Sequence, residues 1–247
     1  MVVELQIKKF KNLNVFITGV SSGIGYSVAK AYLERGSKVY GVDINKFEDP
    51  KIKLNKKMNF FSCDVSDYSK MKKIILKIFK KTKNIDVLIN SAGIIDFKSV
   101  DDSTFNFWKK IIDVNLTGTF ITTKLIVPNM KKNKKGSVIN VSSRAGKHGG
   151  HNETAYCASK FGIEGFSRSL YEECKPFNIF VNSITPGVPI KTSMSKKTYS
   201  KDKKKIWKNP DIITPAFLHL GTQEKNIINN KYINAWKLSK QLGNKYD

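Results

Sequence analysis

The chain is short of cysteine, arginine and long apolar runs, and each shortage excludes something. Its three cysteines, Cys63, Cys157 and Cys174, are odd in number and widely spaced, with no Cys-x-x-Cys pair. Neither a disulfide framework nor a zinc site is expected from that pattern, and reduced thiols in a cytoplasmic protein are. No apolar run approaches the roughly 18 to 20 residues that span a bilayer. The opening stretch, Met1 to Lys11, interrupts its apolar residues with Glu4, Gln6, Lys8 and Lys9, unlike a secretory signal. Only three arginines, Arg35, Arg144 and Arg168, contribute to a net charge of +24; the rest of the positive charge is lysine. Nucleic-acid recognition draws on arginine's planar fork. Here lysines are scattered along the whole chain, with denser clusters at Lys131–Lys135 and Lys201–Lys205. That distribution reads as a composition bias on an ordinary surface, so neither a nucleic-acid partner nor a membrane partner is expected. Such a field would still attract anionic substrates or acidic carrier proteins.

What is present suits one core. An apolar fraction of 40% with 15 Phe, 9 Tyr and 3 Trp is globular in composition, and 247 residues are enough for a single domain. Asn14 to Thr18 reads as a buried strand. The turn Thr18-Gly19-Val20-Ser21-Ser22-Gly23-Ile24-Gly25 and a helical stretch to Arg35 follow it. Strand, glycine-rich turn and helix make the phosphate-binding start of a βαβ unit. Gly19, Ser21, Ser22, Gly23, Ile24 and Gly25 are therefore candidate cofactor contacts. Lys38 to Asp43 is a second strand, ending in an acid placed where a carboxylate accepts from an adenosine ribose and repels a 2′-phosphate. No Arg or Lys occupies the glycine turn or the two positions after Asp43, which favours NAD over NADP.

Further strands are read at Met58–Val65, Ile85–Gly93, Gly136–Ser143 and Asn178–Gly187, with a possible last one at Lys231–Trp236. Asp64 and Val65 end the third, with Asp64 either facing an adenine or capping the turn. Asn90, Ala92 and Gly93 end the fourth, where small residues let backbone pack against a ligand. Asp102 to Lys132 reads as one helix holding Asn115 between apolar residues, where a side-chain amide needs partners. Residues 188–210 are polar and lysine-rich and read as a mobile substrate flap within the single domain. Strands alternating with helices predict an α/β fold, a doubly wound parallel sheet flanked by helices.

Tyr156 and Lys160 share one helix face, because side chains four apart sit one turn above each other. A phenol with a pKa of about 10 is a poor base at neutral pH. A neighbouring ammonium favours the phenolate. Alone, that spacing arises by chance in any lysine-rich helix.

Together, Thr18-Gly-x-x-x-Gly-x-Gly25, Asn90-Ser-Ala-Gly93, Asn115, Ser143, Tyr156-x-x-x-Lys160 and Pro186-Gly187 resemble, in order and spacing, the short-chain dehydrogenase/reductase family. The resemblance covers about residues 10 to 192. It implies a Rossmann-type fold, a nicotinamide cofactor, a small alcohol or carbonyl substrate, and a homotetramer or homodimer. It implies that Tyr156 is the proton donor and acceptor and that Lys160 lowers its pKa and holds the nicotinamide ribose. It further implies that Ser143 orients the reacting oxygen, with Ser142 only its neighbour, and that Asn115 holds a water in the proton relay. Pro186, Gly187, Ile190 and Thr192 are then cofactor contacts, and no metal is implied. Three departures stand out. Pro189 is inserted between Gly187 and Ile190, Ser91 replaces an asparagine, and Tyr232-Ile-Asn-Ala-Trp236 replaces a glycine-rich tail. The reading is an NAD(H)-dependent alcohol dehydrogenase or ketoreductase. The alternatives are a 3-oxoacyl carrier-protein reductase using NADP(H) and a non-catalytic dinucleotide sensor.

His148 and His151, with Arg144 and Lys147, are expected to line a basic pocket mouth. Cys157 is read as a packing residue, and His219 as surface or helix packing.

Overall fold

The protein was studied as a computed structural model, which describes residues 9–46, 49–198, 206–223 and 228–246. The Lys201–Lys205 cluster, the start of the N-terminal stretch (1–8) and part of the expected flap (199–205) lie outside the described residues.

Strand β1 (Asn14–Thr18) is buried along its whole length, as a central parallel strand covered on both faces must be. Around it β2 (Lys38–Asp43), β3 (Met58–Ser62), β4 (Val87–Asn90), β5 (Gly136–Val141), β6 (Ile179–Thr185) and β7 (Tyr232–Asn234) form a seven-stranded sheet. Its order is β3-β2-β1-β4-β5-β6-β7, and every pairing is parallel. Side chains alternate across a strand, so β1 feeds two cores at once. Val15 and Ile17 face one, packed with α1 (Gly23–Glu34), α7 (Thr214–Gly221) and α8 (Ala235–Leu242). Phe16 faces the other, beneath α2 (Tyr68–Phe79), α4 (Gly118–Asn133) and α5 (Thr154–Cys174). Tyr32 of α1 ties the first layer by donating to the Phe217 carbonyl at 3.0 Å. The expected doubly wound sheet flanked by helices is the fold found.

The chain reverses its direction across the sheet between β1 and β4, where Thr18 lies beside Asn90 in register. In open parallel sheets a ligand crevice forms at that switch point, outside the carboxyl ends of the strands. The glycine turn, Asp43, Gly93 and Ser143 all follow strand ends on that edge.

The structure corrects several expected elements. β3, β4, β5 and β6 stop short of their expected ends, because the chain there leaves the ladder to form the loops that carry the site. The expected helix from Asp102 to Lys132 is two helices, α3 (Phe105–Ile112) and α4, joined by a π-helical turn at Asp113–Thr117. Trp236 is not in a strand. Asn234 ends β7 and caps α8, accepting from Lys237 N at 2.9 Å. The segment read as a mobile flap contains a helical turn, α6 (Ser193–Thr198). A reciprocal cap starts it, with Ser195 N donating to Thr192 Oγ1 at 2.9 Å and Thr192 N to Ser195 Oγ at 2.8 Å.

Candidate active site

The glycine turn between β1 and α1 is shaped so that side chains do not fit. Gly19 has φ +75°, and a Cβ there would lie 2.9 Å from the backbone of Ala92. A Cβ on Gly25 would lie 2.2 Å from the Gly19 carbonyl oxygen. Ser22, the residue before α1, makes no side-chain cap bond, and the first turn holds no acid. The helix thus offers open N–H groups and an uncompensated positive end, the donor set an anionic pyrophosphate needs. Ser22 Oγ instead meets Ser193 Oγ at 3.0 Å, and a Cβ on Gly23 would touch Thr192 Cγ2 at 2.9 Å. The segment after β6 therefore rests on the glycine turn. Ile24 packs into the adjoining core.

Asp43 ends β2 beside this turn. It accepts from Ser21 N at 3.0 Å and from Asn45 N at 2.9 Å, while Ser21 Oγ donates to the Asn45 carbonyl at 2.6 Å. A carboxylate held here fits a ribose diol and is hostile to a 2′-phosphate. The residues present thus suit a dinucleotide. Asp64 is exposed and accepts from both the N–H and the hydroxyl of Ser66 at 2.9 and 2.7 Å, so turn capping is one of its uses. Val65 is buried and packs where Gly118 leaves room.

At the end of β4, Thr18 Oγ1 accepts from both Ser91 N and Ala92 N at 3.0 Å, which fixes the loop to β1. Thr18, the first residue of the glycine motif, thus supports the loop through its side chain, a role the motif spacing does not announce. Asn90 ends β4 with its side-chain amide in the interior. That amide is buried away from the crevice, donating to Asn140 Oδ1 at 2.8 Å and Thr123 Oγ1 at 3.2 Å and accepting from Thr122 Oγ1 at 2.6 Å. Gly93 is different. A Cβ there would come within 3.2 Å of Asn115 Oδ1 and 3.8 Å of Lys160 Nζ, so its backbone borders both.

The π-helical turn aims Asn115 at this place, and such widened turns recur at functional sites. Asn115 is fully buried. Its amide accepts from Ile94 N at 2.8 Å and donates to the Ile94 carbonyl at 2.9 Å and to Ser159 Oγ at 3.0 Å. Ser159 in turn donates to the Tyr156 carbonyl at 2.7 Å. Helix α5 thus has the turn that carries Tyr156 bonded to the loop after β4.

Tyr156 and Lys160 are both buried on α5, with Lys160 Nζ 5.7 Å from the Tyr156 ring centroid. Lys160 donates to the Val141 carbonyl at the end of β5 at 2.9 Å. Burial pulls its pKa down to about 8, and the Glu164 carboxylate one turn further on opposes the shift. Glu164 was not singled out in the sequence, although its four-residue spacing from Lys160 was the available signal. It is buried, and its Oε2 accepts from Ser183 at 2.7 Å. Ser143 Oγ accepts from Ala145 N at 3.2 Å, which leaves its own proton for another acceptor. Ser142 is buried, its hydroxyl beside Gly146 in the interior and without a partner. Ser143 is half-buried, whereas Ser142 is buried.

After β6, Gly187 has φ +77°, and a Cβ there would overlap Asn234 Oδ1 at 1.9 Å. The Pro186 carbonyl accepts from Trp236 N at 3.1 Å. The inserted Pro189 is absorbed by a small ladder: Lys208 N donates to the Pro189 carbonyl and Lys191 N to the Lys208 carbonyl, each at 2.9 Å. Ile190 is buried within it, and Thr192 ends it at the α6 cap.

The expected basic pocket mouth is more structured than its sequence implied. Arg144 pairs with the mostly buried Glu153 at 3.9 Å, and Lys147 lies over the Tyr232 ring at 4.0 Å. His148 and His151 are exposed. The Cys157 thiol is half-buried near Glu153, and burial raises its pKa. His219 is a packing residue, its Nδ1 3.0 Å from Tyr246 Oη.

Residues 13–203 match the family described as short chain dehydrogenase. The 3-oxoacyl-(acyl-carrier-protein) reductase FabG of Thermotoga maritima is 32% identical over 230 residues, covering 88% of this chain and 93% of that protein. An NAD-dependent glycerol dehydrogenase of Listeria innocua is 32% identical over 196 residues, 77% of each chain. Among solved structures, ElxO with NADP bound superposes with a TM-score of 0.81 at 26% identity, covering 91% of this chain and 97% of that one.

Proposed function

This chain belongs to the short-chain dehydrogenase family, and on that premise we propose that it is an NAD(H)-dependent oxidoreductase acting on a secondary alcohol or its ketone, with Tyr156 as acid and base. The observation that carries the reading is the buried Lys160 ammonium, tied to the Val141 carbonyl and set beside Tyr156 and Gly93. When bound, the nicotinamide supplies the hydride acceptor or donor. Gly19 to Gly25 would hold its pyrophosphate, Asp43 its adenosine ribose, and Lys160 its nicotinamide ribose.

The chain's own residues manage the proton. In oxidation the Tyr156 phenolate takes the hydroxyl proton of the alcohol. In reduction the Tyr156 phenol protonates the developing alkoxide. Lys160 stabilises the phenolate by charge. The Ser143 hydroxyl donates to the reacting oxygen, and its bond from Ala145 N strengthens it as a donor. Asn115 fixes the distance between the loop after β4 and the catalytic turn of α5. In this reading the protein works as a homodimer or homotetramer. Support comes from Trp108, Phe120 and Phe161, which stand partly exposed on α3, α4 and α5.

A panel of alcohols, sugars and ketones followed by NADH absorbance, with NADP(H) in parallel, tests the reading. Turnover with NAD(H) is expected, and a strong NADP(H) preference would overturn the cofactor choice. A second reading, reduction of an acidic carrier-bound 3-oxoacyl group, is favoured by the net charge of +24 and by the Thermotoga maritima relative. Asp43 weighs against its NADP(H) form.

A further inference from the structure

β7 is an edge strand of the sheet, and it touches both walls of the candidate site. Tyr232 Oη donates to the Ser143 carbonyl at 3.0 Å, across 89 residues of chain. That carbonyl also accepts from Gly146 N at 2.9 Å, the bond that closes the turn Arg144–Gly146. Lys147, the next residue, lies with its ammonium 4.0 Å from the centre of the Tyr232 ring. A cation over an aromatic face at that distance is attractive. The phenol therefore holds the turn at two points, its carbonyl start and its cationic end. Burial raises the Tyr232 pKa above the usual phenol value, so the hydroxyl remains a donor through the physiological range. Beside Lys147, at the end of the turn, opens a pocket of about 480 Å³ lined by Lys147, Glu164, Ser183 and Tyr232 among others. Ala145 and Gly146 are buried against α5 and Arg144 pairs with Glu153, and the Tyr232 bond braces the turn from the β7 side. Two residues along the strand, Asn234 sits against Gly187, and Trp236 N bonds the Pro186 carbonyl at 3.1 Å.

We propose that Tyr232 is a positioning residue for Ser143: its hydroxyl fixes the backbone of the Ser143–Lys147 turn so that the serine hydroxyl meets the reacting oxygen. The proposal rests on the dehydrogenase reading for its effect on rate, but its structural part does not. Ser143 Oγ accepts from Ala145 N within the braced turn, so a turn that moves takes the serine proton with it.

Tyr232→Phe keeps the ring under Lys147 and removes only the hydroxyl. One hydrogen bond of this kind is worth about 1 kcal/mol, which sets an expected fall in kcat of about 3- to 10-fold. KM and Kd for NADH are expected to stay unchanged, because no cofactor contact is touched. Hydrogen exchange of the Ala145, Gly146 and Lys147 amides is expected to quicken, with the rest of the sheet unchanged. A normal kcat, or unchanged exchange in the turn, overturns the proposal. So does a fall in kcat accompanied by weaker NADH binding and faster exchange throughout β6 and β7, which would mark Tyr232 as a structural edge residue. If the unmodified protein turns over no substrate with either cofactor, the dehydrogenase reading fails. The exchange measurement then still decides whether the brace exists.

Discussion

Asn115 and Ser159 are joined by a 3.0 Å hydrogen bond that crosses from the π-helical turn to α5, the helix of Tyr156 and Lys160. Ser159 passes the connection on to the Tyr156 carbonyl, and Asn115 passes it to both backbone groups of Ile94. One buried amide therefore sets the loop after β4 against the turn carrying the tyrosine. Asn115→Ala would remove the partner of the half-buried Ile94 N–H and carbonyl and the amide donor to the buried Ser159 hydroxyl. Each such group costs about 1 to 3 kcal/mol. The variant should lose stability in thermal denaturation and lose turnover beyond what the stability loss explains. An unchanged melting temperature would refute this account of Asn115.

How much of this was legible in the chain differs from residue to residue. β1, β2, β5 and β6 were readable because each is an apolar, β-branched run ending in glycine, acid, serine or proline. The π-helical turn was not, because Asp113 to Thr117 is compatible with continuous helix and the partners of Asn115 are remote. The start of α8 is hidden although Asn234 is an ordinary N-cap, because Lys231 to Trp236 reads as a possible last strand. The inward side chain of Asn90 follows from neighbours on β5 and α4 that no local pattern announces. The bond from Tyr232 to Ser143 joins segments 89 residues apart and has no sequence signal.

Tyr156→Phe should bind NADH as the unmodified protein does and lose turnover by about 10²- to 10⁴-fold, the usual worth of a placed general acid or base. NADH fluorescence gives the binding and steady-state assay gives the rate. Near-normal turnover would remove Tyr156 from the proton-transfer role.

The partly exposed Phe120 meets Phe166 edge-on at 6.4 Å, and Phe161 stands half exposed one turn before Gly165, where a Cβ would meet nothing within 4 Å. An apolar helix face with open space above it suits a second copy of the chain. Light scattering after size-exclusion chromatography should report two or four copies. Phe120→Asp should shift the mass toward one copy with unchanged circular dichroism. A monomeric unmodified protein would end this prediction.

Asp43 braces the glycine turn through Ser21 N, and in the proposed NAD(H) reading its charge would repel a 2′-phosphate. Asp43→Ser removes the charge and shortens the acceptor. Charge-assisted hydrogen bonds are worth about 1.5 to 3 kcal/mol. KM for NAD should therefore rise about 10- to 100-fold while KM for NADP falls. Initial rates with both cofactors measure the two changes, and a parallel rise in both KM values would mean that Asp43 only shapes the turn.

Lys160 carries a stability cost whose sign fixes its pH dependence. Its pKa is near 10.5 in an unfolded chain and falls to about 8 when buried, chiefly through loss of hydration. Below pH 8 both states hold the proton, and the folded state bears the full penalty, about 3 kcal/mol. Between pH 8 and 10.5 the unfolded chain holds a proton the folded chain has released, so this residue's contribution to stability improves as pH rises. Lys160→Met lacks the titration and should be more stable than the unmodified protein at pH 7 while losing activity. The gap should narrow by about 2 kcal/mol at pH 9.5. Urea denaturation of the pair at both pH values isolates Lys160, because titrations common to both chains, such as those of Tyr26 and Cys63, cancel in the difference. A gap that stays constant between pH 7 and 9.5 would show that Lys160 keeps its proton in the folded protein, with Glu164 outweighing burial.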